Sequence, residues 1–252
     1  MNIKALIVVN PGDGISSKYI GNILKDESLY SDYLISDKGG KWQRAEIDTI
    51  ILDIKENSLM RYYDGETIKN SVINHLKKLG KVDYAFVVFS GHGYMNEKGE
   101  TFFGLKDESV ISDIEIRNLL PNKTTLIMDC CRRIESYTLL AEKSASFSLD
   151  EEIVVANARD KFEEALSCAR NSVVTMYSCA PGESSSATPQ GGLYSTKLIS
   201  CACKAHRPLD VIDVHNQAEA IVSSISIKEY KNKQNPRISC LRSGPYFPFA
   251  VS

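Results

Sequence analysis

The chain has 252 residues, of which 43% are hydrophobic and 25% are charged, a composition typical of globular proteins that excludes wholesale disorder. Its formal net charge is −2 at pH 7, which gives no electrostatic signature for nucleic acid, and no polybasic segment is present for an anionic membrane. We therefore expect neither nucleic acid nor a membrane as a partner.

Short apolar runs alternate with an amphipathic segment in the first part of the chain. Residues 5–9 (Ala-Leu-Ile-Val-Val) and 49–54 are predicted to be buried strands, the first closed by an Asn-Pro-Gly turn. A helix is predicted over 64–79, because its apolar residues recur on one face and Gly80 follows where a C-terminal cap is expected. Residues 84–89 (Tyr-Ala-Phe-Val-Val-Phe) form a third predicted strand.

The rest of the chain continues this alternation. The predicted elements are, in chain order, a hairpin with its turn at 96–99 and its return arm at 101–103, a helix at 113–120, strands at 124–128 and 173–177, and helices at 192–205 and 209–224. Residues 134–171, between the two later strands, are charged and irregular in pattern, and we predict a flexible loop there.

These elements define a fold class. Apolar strands alternating with helices predict an α/β fold, in which a mainly parallel sheet is covered by helices on both faces as a three-layer α/β/α sandwich. The chain contains no internal repeat and no linker rich enough in Gly or Pro to divide it. We therefore predict a single domain over residues 1–252.

The cysteines indicate a reducing compartment. There are seven, an odd number, and no secretory leader precedes them, so we predict a cytoplasmic protein with reduced thiols. Cys201 and Cys203 lack a second cysteine pair at zinc-ligand spacing, and we therefore expect no metal site.

Two of the predicted strands end in reactive side chains. The strand at 84–89 continues into Ser-Gly-His-Gly, which contains His92, and the strand at 124–128 stops at Asp-Cys-Cys, which contains Cys131. Ligands of open α/β sheets bind beyond the carboxyl ends of the strands, so the thiol and the imidazole meet if these strands are neighbours. A thiol needs such a base to become a nucleophilic thiolate.

At these motifs the chain resembles the caspase and metacaspase-type cysteine peptidases, whose signatures are a strand ending in Ser-Gly-His-Gly and a later strand ending in Asp-x-Cys. Residues 177–187 are similar to the segment that lines the family's specificity pocket, and residues 191–196 to the start of the helix after it. Residues 234–236 and the closing Phe-Pro-Phe-Ala suit the family's last strand. The resemblance implies a caspase-like sandwich and covers most of the chain.

The resemblance also implies catalytic roles. His92 matches the general base, and Cys131, rather than Cys130, matches the nucleophile because it lies two residues after Asp129. The backbone N–H groups of Gly93 and Cys131 match the oxyanion hole that acyl transfer requires. The implied activity is that of a cysteine endopeptidase acting on protein or peptide substrates, without a cofactor for the chemistry. Calcium activation, known in some metacaspases, stays open.

Substrate specificity is implied by the same comparison. Ser90 and Asp129 match positions that line the metacaspase pocket for the residue before the cut, where an aspartate favours Arg or Lys. Glu183 is a further candidate for a pocket acid. The chain departs from the metacaspase pattern after Cys131, where residues 132–135 read Arg-Arg-Ile-Glu instead of beginning with His-Ser-Gly.

Other interpretations of the same residues remain open. A Cys-Cys pair at a strand end is commonly core packing, Asp129 could cap the next element, and Glu183 could be a solvated loop residue. The chain could be a catalytically idle caspase-like module that works by binding a regulatory partner. It could also be another α/β hydrolase or transferase that uses cysteine, although it has no Gly-x-Ser-x-Gly elbow, phosphate loop or dinucleotide fingerprint.

The predicted loop suggests how such an enzyme would be regulated. Residues 134–171 match the segment that many caspase-like enzymes cut during activation, and Arg159, Lys161 and Arg170 would suit a basic specificity. By association with the family, a role as a regulated effector protease in a cell-death or defence pathway is expected.

Overall fold

The computed structural model describes residues 1–12, 19–52, 65–106, 108–134, 156–240 and 243–252. The helices are α1 (Lys25–Ile35), α2 (Gly65–Leu79), α3 (Asp113–Leu119), α4 (Ala158–Cys168), α5 (Leu193–Cys203) and α6 (Val211–Tyr230). The strands are β1 (Ile3–Asn10), β2 (Ile47–Ile51), β3 (Tyr84–Gly91), β4 (Gly93–Met95), β5 (Thr101–Gly104), β6 (Val110–Ser112), β7 (Lys123–Cys130), β8 (Ser172–Tyr177), β9 (Ala187–Thr188), β10 (Gly191–Gly192), β11 (Leu209–Asp210), β12 (Arg237–Ser239) and β13 (Pro248–Ala250).

A six-stranded sheet in the order β12-β8-β7-β3-β1-β2 forms the centre of the molecule. All of its pairings are parallel except that of the edge strand β12, which is antiparallel to β8. The central strands β1, β3 and β7 are apolar over most of their length, because both of their faces are covered. The predicted α/β class with a mainly parallel sheet is confirmed.

Each face of the sheet supports its own hydrophobic core, since side chains alternate along a strand. On one face Phe86, Val88 and Ile127 pack with residues from α1, α4, α5 and α6. On the other face Val87 and Phe89 pack with residues from α2 and α3. The helices therefore form two outer layers, as the predicted sandwich requires.

The predicted hairpin is confirmed and forms a small sheet in the order β4-β5-β6. Phe103 on β5 meets Phe89 on β3 edge to face, with 5.1 Å between ring centroids, which attaches this sheet to the α2 and α3 side. Ser112 then begins α3 with a capping box, in which its hydroxyl accepts from the Glu115 N–H and the Glu115 carboxylate accepts from the Ser112 N–H.

Helix α1 was not predicted, because the residues it buries are not a simple apolar stripe. Its buried residues include Asp26 and Ser31 beside Tyr30 and Leu34. A polar residue contributes nothing to an apolar periodicity, so the pattern alone gives no helix signal here.

The prediction of an irregular segment over 134–171 is wrong for residues 158–168, which form α4. Phe162 and Leu166 are the large apolar residues that this helix buries. The charged residues around them made the helical spacing of apolar residues too weak to recognise in the sequence. Arg159 and Lys161 therefore lie within a helix, and Arg159 forms a bidentate ion pair with Glu46 at 2.8 Å. Because peptidases bind extended chain, these two residues are poor cleavage sites. Residues 135–155 lie outside the described residues.

Element boundaries also differ from the predictions. The second strand is Ile47–Ile51 rather than 49–54, and α6 continues to Tyr230, beyond the predicted end at 224. Residues 53–64, which include the predicted start of the second helix, lie outside the described residues. None of the helices in the described part of the chain is long and apolar enough to cross a membrane.

Candidate active site

The two reactive motifs lie side by side at the carboxyl edge of the sheet. β3 and β7 are neighbouring parallel strands, and their register pairs Gly91 with Cys130. His92 and Cys131 are the next residue of each strand, so both leave the sheet at the same level. The structure therefore brings the predicted base and nucleophile to one place.

Two glycines around His92 allow the chain to pass this point. Gly91 has a φ of 142°, and a Cβ there would lie 2.1 Å from the carbonyl oxygen of Asn10 on β1. At Gly93 a Cβ would lie 2.7 Å from Cys130 Sγ and 2.7 Å from the Phe102 carbonyl oxygen. Neither site has room for a side chain, and the Gly93 backbone packs directly against β7.

The Cys131 side chain is largely covered. The residue is 8% exposed, and its Sγ lies 3.9 Å from the carbonyl oxygen of Ser185. Burial raises the pKa of the Cys131 thiol, while the nearby Arg133 guanidinium acts in the opposite direction. The thiol is thus protonated at neutral pH in this state and needs a base before it can attack.

Asp129, two residues before Cys131, is buried under the same edge. Its Oδ2 accepts hydrogen bonds from the Ser195 hydroxyl at 2.6 Å and the Ser195 N–H at 3.1 Å. Its Oδ1 accepts from the Ser185 hydroxyl at 2.7 Å. These donors come from the start of α5 and the loop before it, so Asp129 does not simply cap the segment that follows it.

A second buried carboxylate, Asp26 of α1, lies next to Asp129. It is fully buried and accepts hydrogen bonds from the Ser90 hydroxyl and from the Gly192 N–H at 2.9 Å. Burial, and then the charge of Asp129, raise the pKa of Asp26 well above its usual value. A Cβ at Gly192 would lie 2.3 Å from an Asp129 oxygen and 3.2 Å from an Asp26 oxygen. Both acids therefore flank this glycine.

The sequence analysis missed Asp26. The structure shows that this acid is the hydrogen-bond partner of the predicted Ser90. The Ser90 hydroxyl, near the end of β3, donates to Asp26. We call the group of Ser90, Asp26 and Asp129 the acidic cluster; it lies on the face of the sheet that α1 and α5 cover. The sequence did not mark Asp26, because α1 also carries Glu27 and Asp32, and only the fold shows that Asp26 is the buried one.

Comparison with known proteins gives the family. The sequence model described as the caspase domain matches residues 44–247, which is more than half of the chain. The chain belongs to the caspase domain family. It is thus a caspase-like cysteine peptidase by descent, of a kind that acts on protein substrates. Asp26 precedes the matched residues.

The fold of the caspase domain is also supported by solved structures. The crystal structure of caspase-1 from Spodoptera frugiperda superposes with a TM-score of 0.60 at 13% sequence identity, covering 94% of this chain and 86% of that chain. None of the curated proteins that were compared matches the sequence.

In this caspase domain the loop after Cys131 is held by Arg132. The buried guanidinium lies 4.0 Å from the ring centroid of Tyr177, donates to Thr101 Oγ1 at 3.0 Å and donates to the Cys179 carbonyl at 3.2 Å. The backbone N–H of Arg132 donates to the Glu183 carbonyl at 3.0 Å. The Arg that follows Cys131, where metacaspases have His, thus joins the end of β7 to three surrounding segments.

The Glu183 carboxylate joins its own loop to the segment that precedes β12. Its Oε2 accepts from the N–H groups of Asn235 at 2.7 Å and Ala180 at 3.2 Å, and its Oε1 accepts from the Asn235 side chain at 2.6 Å. None of the hydrogen bonds described for this carboxylate reaches Asp26, Ser90 or Asp129. The structure supports a role in holding the loop.

The other thiols and histidines have local explanations. Cys130 and Cys179 are buried beneath the site, and all seven cysteines are free. His215 is buried in α6 against Tyr194, and His206 is exposed. Across the described ranges no group of three or more His, Cys, Asp or Glu residues is arranged to hold a metal ion.

Proposed function

We propose that this caspase domain is an active cysteine endopeptidase, with Cys131 as the nucleophile and His92 as the general base. The observation that carries the proposal is the pairing of Gly91 with Cys130, which puts the two reactive residues at equivalent positions on adjacent parallel strands. Covalent catalysis by a thiol needs a base at this kind of position.

The proposed reaction uses groups of this chain alone. His92 takes the proton from Cys131 Sγ, and the thiolate attacks the substrate carbonyl carbon, whose oxygen becomes an oxyanion held by the N–H groups of Gly93 and Cys131. The imidazolium then protonates the leaving amine, the C–N bond breaks, and a thioester forms. A water molecule, deprotonated by His92, then attacks the thioester. The C–S bond breaks, the acid product leaves, and His92 returns the proton to Sγ.

We further propose that the enzyme cleaves after Arg or Lys. The support is the buried pair formed by Asp26 and Asp129, two carboxylates that a basic side chain would neutralise. The Ser185 hydroxyl donates to Asp129 Oδ1 at 2.7 Å, and the Ser185 carbonyl oxygen lies 3.9 Å from Cys131 Sγ, so Ser185 borders both the acidic pair and the thiol.

The proposal extends to regulation and location. By association with the caspase family, we propose a regulated effector protease of a cell-death or defence pathway, switched on by a partner, a cut or an ion. Free cysteines are compatible with the proposed cytoplasmic location. Arg170, unlike Arg159 and Lys161, lies outside α4 and is exposed, so proteolytic activation would fall at Arg170 or within residues 135–155.

The proposed function is tested with fluorogenic peptides ending in Arg, Lys or Asp, with and without calcium, on the native protein and the Cys131→Ala variant. We expect cleavage after Arg and Lys that disappears in Cys131→Ala. Cleavage after Asp alone would retain the peptidase and refute the acidic pocket. If no peptide is cleaved and an electrophilic peptide mimic fails to label Cys131, the chain is a binding module rather than an enzyme.

A further inference from the structure

The small sheet that follows His92 presents an aromatic pair next to the proposed catalytic centre. Tyr94 on β4 is directly opposite Phe102 on β5. Their rings are stacked, with 5.1 Å between centroids and an angle of 12° between planes, and both side chains are partly exposed. A stacked pair that remains accessible offers a flat surface to another aromatic or apolar side chain.

This pair shares a face of the hairpin with the His92 imidazole. Side chains alternate along a strand, so His92 and Tyr94, two residues apart, point to the same side. The Gly104 N–H donates to the His92 carbonyl at 2.9 Å, and a Cβ at Gly104 would lie 3.7 Å from His92 Cβ. Because Gly104 has no side chain, β5 places none between His92 and Phe102 on this face of the hairpin.

The opposite face of the hairpin is fully used. Phe103 and Met95 are buried there, and Phe103 packs against Phe89 in the core. Only the face that carries His92, Tyr94 and Phe102 is available to a ligand.

The direction in which a substrate crosses the site follows from the chemistry. The side chain before the cut points to the acidic cluster, which lies on the α1 and α5 face of the sheet. The general acid must touch the leaving amine in order to protonate it, so the chain after the cut leaves past His92. Beyond His92 on that side lies the hairpin, which is attached to the α2 and α3 face through Phe103.

Both edges of β4 already form main-chain hydrogen bonds within the protein. β5 pairs with one edge, and on the other edge the Met95 N–H donates to the Arg133 carbonyl at 2.9 Å. A departing peptide therefore cannot extend this sheet at β4 as an added strand. Any selectivity at this point comes from side chains, and the aromatic pair is what the surface offers.

We propose that Tyr94 and Phe102 form the subsite for the residue that follows the cut, and that this subsite selects an aromatic or large apolar side chain. The inference rests on the proposed function for the place of His92 beside the leaving amine. An aromatic contact of this type favours binding by roughly threefold to tenfold over glycine. The enzyme would then recognise a basic residue followed by an aromatic or large apolar one.

The test measures binding and turnover separately. Full-length Cys131→Ala protein is titrated with labelled peptides that carry Arg-Phe or Arg-Gly at the cleavage position, and binding is followed by fluorescence anisotropy. We expect the Arg-Phe peptide to bind roughly threefold to tenfold more tightly. In the same background Phe102→Ala and Tyr94→Ala abolish the difference, while Tyr94→Phe keeps it. Tyr246→Ala, which removes a partly exposed tyrosine outside the hairpin, is the matched control.

The outcomes separate this inference from the proposed function. Equal binding of the two peptides, or a preference that survives both alanine variants in folded protein, overturns the subsite. If the Arg-Phe preference is found and is lost in Phe102→Ala, but native protein cleaves neither peptide and an electrophilic peptide mimic fails to label Cys131, the aromatic subsite stands and the peptidase function falls. If native protein cleaves both at equal kcat/KM and Cys131→Ala binds both equally, the peptidase stands and the subsite falls.

Discussion

At the scale of single residues, the two acids beside Gly192 stand out because they are buried together. Asp26 and Asp129 each accept hydrogen bonds from Ser or backbone N–H donors, so neither carboxylate is left without a partner. A pair of buried carboxylates repels when both are ionised, which is why the pKa of Asp26 is raised by Asp129 as well as by burial. A bound cation would relieve that repulsion.

Replacing Asp26 by Asn should therefore weaken recognition of basic substrates. We expect Asp26→Asn to lower kcat/KM for Arg peptides by roughly 10- to 100-fold, since one charge-assisted contact is lost. In the native enzyme a bound Arg favours the ionised form of Asp26, so KM for Arg peptides should rise as the pH falls. The variant should lose that part of the pH dependence. Steady-state kinetics across the pH range measure both effects.

The control for this variant lies on the same helix. Asp32 is exposed on α1, so Asp32→Asn should leave kcat/KM and its pH dependence unchanged. An Asp26→Asn enzyme that cleaves Arg peptides as well as native protein would show that Asp26 is a structural acid and that the specificity pocket lies elsewhere.

At the scale of elements, the turn from β3 into β4 fixes the position of the proposed catalytic groups. Gly93 begins β4 in contact with both Cys130 Sγ and the Phe102 carbonyl oxygen. Its N–H is one of the two proposed oxyanion donors, and such donors act only when they are held in place before the reaction. The hairpin and β7 thus fix each other's position at this one glycine.

A methyl group at Gly93 should separate these two elements. We expect Gly93→Ala to lower kcat by roughly 100-fold or more, comparable to the loss of an oxyanion-hole donor, while KM changes less because substrate binding does not depend on that bond. Gly99→Ala is the comparison for backbone strain without a clash: Gly99 lies in the turn of the same hairpin with a φ of 84°, and a Cβ there meets nothing within 4 Å, so this variant should cost stability but leave kcat unchanged. Unchanged kcat in Gly93→Ala would contradict the assigned oxyanion hole.

How far the sequence predicts this architecture depends on where the information lies. Strands β3 and β7 are buried on both faces, so the sequence alone could identify their apolar runs and the motifs at their ends. Helix α1 was not, because Asp26 is buried by contacts with Ser90 and Gly192 that only the folded chain creates. The Tyr94 and Phe102 stack likewise depends on strand register, which periodicity does not fix.

At the scale of the whole molecule, α6 contains a buried histidine that links stability to pH. His215 Nδ1 lies 2.7 Å from the Tyr194 hydroxyl. Burial, and then the positive charge of Arg237, lower the pKa of His215 to about 4. The unfolded chain, with an ordinary histidine pKa of about 6.5, binds this proton more readily than the folded one. The contribution of His215 to stability is therefore complete above pH 6.5 and is lost as the pH falls towards 4.

Between pH 7 and pH 5 this group should cost native protein about 2 kcal/mol of unfolding free energy. Urea unfolding at the two pH values, on native protein and His215→Gln, measures the effect. The variant should be less stable at pH 7 yet lose about 2 kcal/mol less on acidification. The raised pKa of Asp26 acts with the opposite sign, and it is common to both proteins, so it cancels in the comparison. Equal acid sensitivity would mean that His215 is already charged in the folded state.

The residues of the proposed specificity pocket come from two parts of the chain, and this division has a genetic consequence. Asp26 and Asp129 precede residues 135–155, whereas Ser185, Gly192 and Ser195 follow them, and β7 pairs with β8 across that division. Supplied as two polypeptides, the halves would each lack part of the pocket and would regain it only by associating. Activity would then depend on the concentration of both pieces, and an inactive first half could be complemented in trans by an intact one.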